Sequence, residues 1–123
     1  MDKKKILVAD DESNIRLLLR RLLEKDYTIV EATDGQEAID INRSQKPDLV
    51  LMDIMMPRVD GYAACSVIKT DPATREIPVV MLTAIGFELN KDFAKKMGAS
   101  GYITKPFTLS DLLKIIVPLL STP

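Results

Sequence analysis

The sequence contains no histidine. That absence excludes imidazole acid–base catalysis, imidazole metal ligation and a phosphohistidine relay on this chain. Cysteine is nearly as scarce. Cys65 stands alone, so an intramolecular disulfide and a thiolate metal cluster are both excluded, a composition suited to a reducing cytosol. Charge of one sign is missing too: 17 basic residues against 18 acidic leave a net charge of −1. Neither a nucleic-acid-binding nor a membrane-binding surface is expected from that balance. Long apolar runs are also lacking. Lys3-Lys4-Lys5 is basic like the start of a signal peptide, but the apolar stretch behind it, Ile6 to Ala9, stops at Asp10. That is too short for a secretory core or a membrane span. No repeat, linker or low-complexity segment breaks the chain. What remains is 123 residues, 46% hydrophobic and 28% charged, which fits one ordinary globular domain over residues 1–123, expected to be cytoplasmic.

The stretch around which the chain is organised is Leu49-Val50-Leu51-Met52-Asp53. Four apolar residues without polar alternation read as a strand buried on both faces, as in a parallel sheet covered by helices. Comparable short strands are predicted at Ile6–Ala9, Thr28–Val30, Pro78–Leu82 and Gly101–Thr104. Between them lie helical patterns. Ser13 and Asn14 are capping types ahead of a stripe of Ile15, Leu18, Leu19 and Leu22 running to Lys25, with Leu17 off the stripe. A second helix follows the Asp34-Gly35 turn with Ala38, Ile39 and Ile41, and stops before Pro47. A third holds Tyr62, Ala64, Cys65 and Ile68 and closes at Asp71-Pro72. A weaker one spans Phe87 to Met97 and stops at Gly98. The last carries Leu109, Leu112, Leu113, Ile116 and Leu120, with Pro118 expected to kink or end it. Alternating strands and helices predict an α/β fold, a five-stranded parallel sheet wrapped on both faces by right-handed crossovers.

In such a sheet all strand carboxyl ends share one edge. That edge would collect Asp10 and Asp11 from the first strand, Asp53 from the third, Thr83 from the fourth and Lys105 from the fifth. Singly, each residue is ordinary: an Asp at a strand end caps a turn, and Asp10-Asp11 favours a helix amino terminus. Their convergence is the signal. Clustered carboxylates repel, so either one keeps a proton or a cation sits among them. With oxygen donors alone the cation should be hard: Mg²⁺ is expected, with Mn²⁺ as the alternative. Lys105 offers a positive charge and Thr83 a hydroxyl donor to a phosphoryl group. A carboxylate is itself a nucleophile able to form an aspartyl phosphate. On this reading Asp53, Thr83 and Lys105 carry the chemistry while Asp10 and Asp11 hold the metal.

Ala9-Asp10-Asp11-Glu12, Asp53-Ile54-Met55-Met56-Pro57, Asp60-Gly61, Leu82-Thr83-Ala84 and Tyr102-Ile103-Thr104-Lys105-Pro106-Phe107 resemble the receiver domain of bacterial two-component response regulators, over essentially the whole chain. The resemblance implies a flavodoxin-like (βα)5 three-layer sandwich with strand order 2-1-3-4-5. It also implies that Asp53 accepts phosphate from a phosphohistidine, in a sensor histidine kinase or a histidine phosphotransfer protein. Asp11, Asp53 and the Met55 carbonyl would bind Mg²⁺, Asp10 acting mostly through water. Thr83 and Tyr102 match the family's switch pair, and a cis Lys105–Pro106 peptide is implied. The kinase would dock on the first helix at Asn14, Ile15, Leu18 and Arg21, with Pro106 and Phe107 alongside. Phe107 and Ile115 belong to the region expected to change on phosphorylation.

Two positions depart from the family's habit. Two residues beyond Asp53, where a polar side chain often orients the hydrolytic water, stands Met55, and the equivalent position beyond Thr83 is Ile85. Because the sequence stops at Pro123, the expectation is a stand-alone switch whose output is contact with a downstream protein or phosphoryl relay. Three alternatives fit the sequence less well. An aspartyl-nucleophile phosphohydrolase of the haloacid-dehalogenase type needs a second acid where Met55 stands. A flavodoxin-like cofactor binder needs a Ser/Thr/Gly-rich phosphate loop where this chain has Asp-Asp-Glu. A degenerate scaffold receiver would have lost acidic residues that are all present here.

Overall fold

The computed structural model describes residues 3–84 and 91–121. Its elements are β1 (Lys5–Ala9), α1 (Ser13–Leu23), β2 (Thr28–Ala32), α2 (Gly35–Gln45), β3 (Leu49–Asp53), α3 (Gly61–Thr70), β4 (Val79–Thr83), α4 (Lys91–Lys96), β5 (Gly101–Thr104) and α5 (Leu109–Leu120). The strands form one parallel sheet in the order β2-β1-β3-β4-β5, as the resemblance implied. The unbroken apolar runs of β3 and β4 follow from this placement. Every residue of both strands is buried, because successive side chains enter different cores.

One core joins Leu7, Ala9, Val50, Met52, Val79 and Met81 to Ala38 and Ile39 of α2 and Ala64, Cys65 and Ile68 of α3. The other joins Ile6, Val8, Leu49, Leu51, Val80 and Leu82 to Leu19 and Leu23 of α1 and Leu112 and Ile116 of α5. The result is a three-layer sandwich, helices on both faces of the sheet. Among the described residues, no helix is long and apolar enough to cross a membrane.

Several boundaries differ from the sequence reading, each for a physical reason. β2 runs on through Glu31 and Ala32 because the pairing continues to Ala9 opposite Ala32. α1 already includes Ser13 and Asn14. Glu12 occupies the N-cap without a side-chain cap, while its own N–H is taken by the Asp10 carboxylate at 2.9 Å. α1 ends at Leu23, not Lys25, and its buried residues are Leu19 and Leu23, while Leu18 is 40% exposed. α5 passes Pro118 and ends at Leu120. In the last turn a missing proline N–H costs one helical hydrogen bond and interrupts nothing downstream. Most of the expected start of α4, residues 87–90, lies outside the described residues. Its end is as expected, with Gly98 at φ +94, left-handed backbone that glycine adopts without strain.

Candidate functional site

Strand register decides which side chains meet. Ala9 lies opposite Met52, so the next residue, Asp10, comes level with Asp53. Asp53 lies opposite Leu82, which sets Thr83 one step further along the same edge. Thr83 in turn lies opposite Thr104, so the following residue, Lys105, reaches the edge from β5. The Lys105 N–H donates to the Thr83 carbonyl at 2.7 Å, and the Lys105–Pro106 peptide is cis, as the resemblance implied.

Lys105 is the hub. Its Nζ lies 3.0 Å from Asp10 Oδ2, 3.6 Å from Asp53 Oδ2 and 4.0 Å from Glu12 Oε1. Asp10 is fully buried, and its other oxygen accepts from the Glu12 amide. Burial pulls the Lys105 ammonium down, but the hydrogen bond and charge of Asp10, with the charges of Asp53 and Glu12, outweigh it and hold the group above its ordinary value. Asp53 shows the opposite balance. Burial, then the nearby Asp10 charge, push its carboxyl up to about 6 against the pull of Lys105 and the Met55 amide. That amide donates to Asp53 Oδ1 at 3.4 Å.

The raised acid predicts a pH-dependent stability for the metal-free chain. Folding favours protonated Asp53, so its contribution is fully present below the unfolded value of 3.8 and is lost as pH climbs through about 6. Asp53→Asn removes the penalty. At pH 7 in a chelator it should raise stability by on the order of 1–3 kcal/mol and move the thermal midpoint upward, with the gain vanishing near pH 4. Thermal melts at the two pH values check this; a gain equal at both would contradict it.

Two features favour a cation and a phosphoryl group. The carboxylates of Asp10, Asp11 and Glu12 present oxygens within 4.8 Å of one another, with Asp53 tied to them through Lys105. Four acids against one ammonium leave the pocket negative, and a hard divalent ion fits an all-oxygen donor set. In addition Thr83 Oγ1 is buried without a hydrogen-bond partner among the described residues, a donor held in reserve at the sheet edge.

With this geometry in place the relatives are informative. The family model described as "Response regulator receiver domain" matches residues 6–117. The chain belongs to the response regulator receiver domain family. The sequence is 42% identical over 113 residues to "Probable transcriptional regulator ycf27" of Cyanophora paradoxa, covering 91% of this chain and 46% of that protein. It is 42% identical over 103 residues to the response regulator PleD of Caulobacter vibrioides, covering 83% of this chain and 23% of that one. The chain thus spans less than half the length of these curated relatives. Among solved structures, the receiver domain of the Pseudomonas aeruginosa PAO1 sensor histidine kinase PA1611, with a magnesium ion coordinated in its active-site cleft, superposes with a TM-score of 0.89 at 26% identity, covering 98% of this chain and 99% of that one. The Vibrio cholerae chemotaxis protein CheY4 gives 0.88 at 28%, covering 96% and 99%.

The other residues that the sequence points to lie around this pocket. Ile15, Leu18, Lys105, Pro106 and Phe107 line one shallow apolar groove between α1 and the β5–α5 loop. Phe107 itself is mostly buried in the core beneath it, so it forms the floor of the groove and not an exposed contact. Asn14 and Arg21 are exposed on α1. Tyr102, 39% exposed, lines a second depression with Thr104, Lys114 and Ile115. Met55 is 62% exposed, and Ile85 lies outside the described residues. Glu12 joins the cluster as well; the sequence shows it only as the residue that follows the Asp-Asp pair.

Proposed function

We propose that this receiver accepts a phosphoryl group on Asp53 and uses it to change its protein-binding surface. The observation that carries the reading is Lys105 Nζ poised between Asp10 and Asp53 beside the Thr83 hydroxyl, which has no hydrogen-bond partner among the described residues. Asp11, Asp53 and the Met55 carbonyl would hold Mg²⁺, with Asp10 acting through water and Mn²⁺ as a substitute. When bound, the ion would offset the negative charge that otherwise repels an incoming phosphoryl group.

The Asp53 carboxylate attacks phosphorus as the donor's P–N bond breaks, leaving the donor imidazole and an aspartyl phosphate. Lys105 pairs with a phosphoryl oxygen, and Thr83 donates to another. Donors are a sensor histidine kinase or a histidine phosphotransfer protein, and the output is contact with a downstream protein. Incubation with acetyl phosphate and Mg²⁺, followed by intact mass, tests the reading. One added phosphoryl group is expected, and none would overturn it.

The groove beside the acidic pocket is the expected kinase contact. Ile15→Ala or Arg21→Ala should slow transfer from the kinase while labelling by acetyl phosphate proceeds at the native rate. Equal losses with both donors would mean damage to the fold or the pocket.

The switch follows from Thr83. Phosphate on Asp53 should draw the Thr83 hydroxyl toward it and open space into which Tyr102 turns, shifting a two-state equilibrium by its differential contacts. Thr83→Ala should still be phosphorylated, yet amide exchange over β5 and α5 should then respond weakly. Unchanged exchange at this face when the native chain is phosphorylated would refute the switch.

A further inference from the structure

The β3–α3 loop, residues 54–60, leaves Asp53 and is fastened from both sides. At its far end Gly61 lies against the β3 backbone: its N–H donates to the Ile54 carbonyl at 2.8 Å, and a methyl group there would overlap the Asp53 carbonyl. In its middle the loop rests on α2. A methyl group on Gly35, the first residue of α2, would overlap the Val59 carbonyl. Across that contact Arg58 reaches Asp34, the N-cap of α2. Nε lies at 3.1 Å and Nη2 at 2.6 Å from Asp34 Oδ2, while Asp34 Oδ1 accepts the Glu37 amide at 2.8 Å. One carboxylate therefore caps the helix and holds the loop.

Arg58 does so from φ +65, a left-handed conformation unfavourable for an arginine. Such backbone persists only where its surroundings enforce it. Here a backbone bond from the Val59 N–H to the Pro57 carbonyl at 2.8 Å closes a tight turn about Arg58, and the charge-assisted pair, whose acidic side chain is 12% exposed, ties that turn to α2. The same loop holds Met55 as its second residue, and the Met55 amide already donates to the Asp53 carboxylate. We propose that Arg58 and Asp34 are a positioning pair: by holding the loop against α2 they fix where Met55 presents its backbone, and so set the affinity of the acidic pocket for Mg²⁺. The inference rests on the Mg²⁺ reading above. Neither residue touches the reacting atoms.

Isothermal titration of Mg²⁺ into the native chain, Arg58→Asn, Asp34→Asn and the double variant tests it. Asn tolerates left-handed backbone at position 58 and still caps a helix at position 34, so each change breaks the pair while keeping the local backbone. Each single variant is expected to bind Mg²⁺ about 10-fold more weakly, and the double variant little more weakly than either single, since both break one link. A mere field effect would act otherwise: losing the cation would tighten Mg²⁺ and losing the anion would loosen it. Such opposite shifts, or unchanged affinities, overturn the proposal while leaving the metal reading intact. A native chain that binds no Mg²⁺ overturns both. If Asp34→Asn fails to melt cooperatively, the Arg58 variants decide alone. Arg58→Lys should then lie between native and Arg58→Asn, and Arg58→Asn binding as tightly as native sinks the pair.

Discussion

Asp53→Asn should take up no phosphoryl group from acetyl phosphate, and a chelator should abolish uptake by the native chain. Both losses are expected to be complete within detection, the largest effect that any single change should produce. The amide is isosteric with the carboxylate, but its oxygen is far less nucleophilic and cannot form the acyl phosphate. Chelation acts through charge. Asp10, Asp11, Glu12 and Asp53 face one ammonium, that of Lys105, so a phosphoryl dianion meets net repulsion until a divalent ion joins them. The variant should meanwhile be at least as stable as the native chain, because it relieves a carboxyl pushed up to about 6. Loss of labelling therefore cannot be blamed on unfolding. Intact mass and peptide mapping make the check. Stoichiometric labelling of Asp53→Asn at another residue would falsify the assignment of the acceptor.

The sheet was legible because both of its faces are covered. A strand such as Leu49–Asp53, buried at every position, leaves an apolar run ending abruptly in a charge, and that charge lands on the ligand-binding edge by topology alone. Parallel strands put all their carboxyl ends on that edge, so the converging residues could be named from the ends of the apolar runs, and the register then brings Thr83 opposite Thr104. The strand order came from the family, because hydrophobic periodicity does not say which strands are neighbours. α1 was harder to read. Ile15, Leu18, Leu19, Leu22 and Leu23 offer two overlapping apolar stripes, and only packing against the sheet selects Leu19 and Leu23 for burial. Pairings such as Arg58 with Asp34, or Arg16 with Glu31 at 3.0 Å and with the Asp10 carbonyl at 2.8 Å, were invisible. They join exposed-looking charges on elements that sequence alone does not place side by side, and spacing carries no trace of such contacts. Phe107 misled for the reverse reason. Next to a proline in a loop it looks like surface, yet it plugs the end of the α1–α5 core.

Met55→Asn should shorten the lifetime of the phosphorylated form by about 10-fold, since one well-placed polar group is worth roughly 1.4 kcal/mol in a barrier. Aspartyl phosphate is lost when water attacks phosphorus in line, and the rate depends on a group that holds this water in the attack geometry. Met55 stands two residues beyond Asp53, its amide donates to the Asp53 carboxylate at 3.4 Å, and the residue is 62% exposed. It therefore stands beside the acceptor where solvent has access, and a thioether neither orients water nor accepts its proton. A polar side chain there has room to reach the water without disturbing the core. The native phosphorylated form should consequently be long-lived, suited to a sustained signal. A competing account gives hydrolysis entirely to the metal, in which case the side chain at this position is immaterial. Decay of intact mass after removal of the phosphodonor, at saturating Mg²⁺, separates the two. Decay of Met55→Asn at the native rate would hand the lifetime to the metal and its ligands alone.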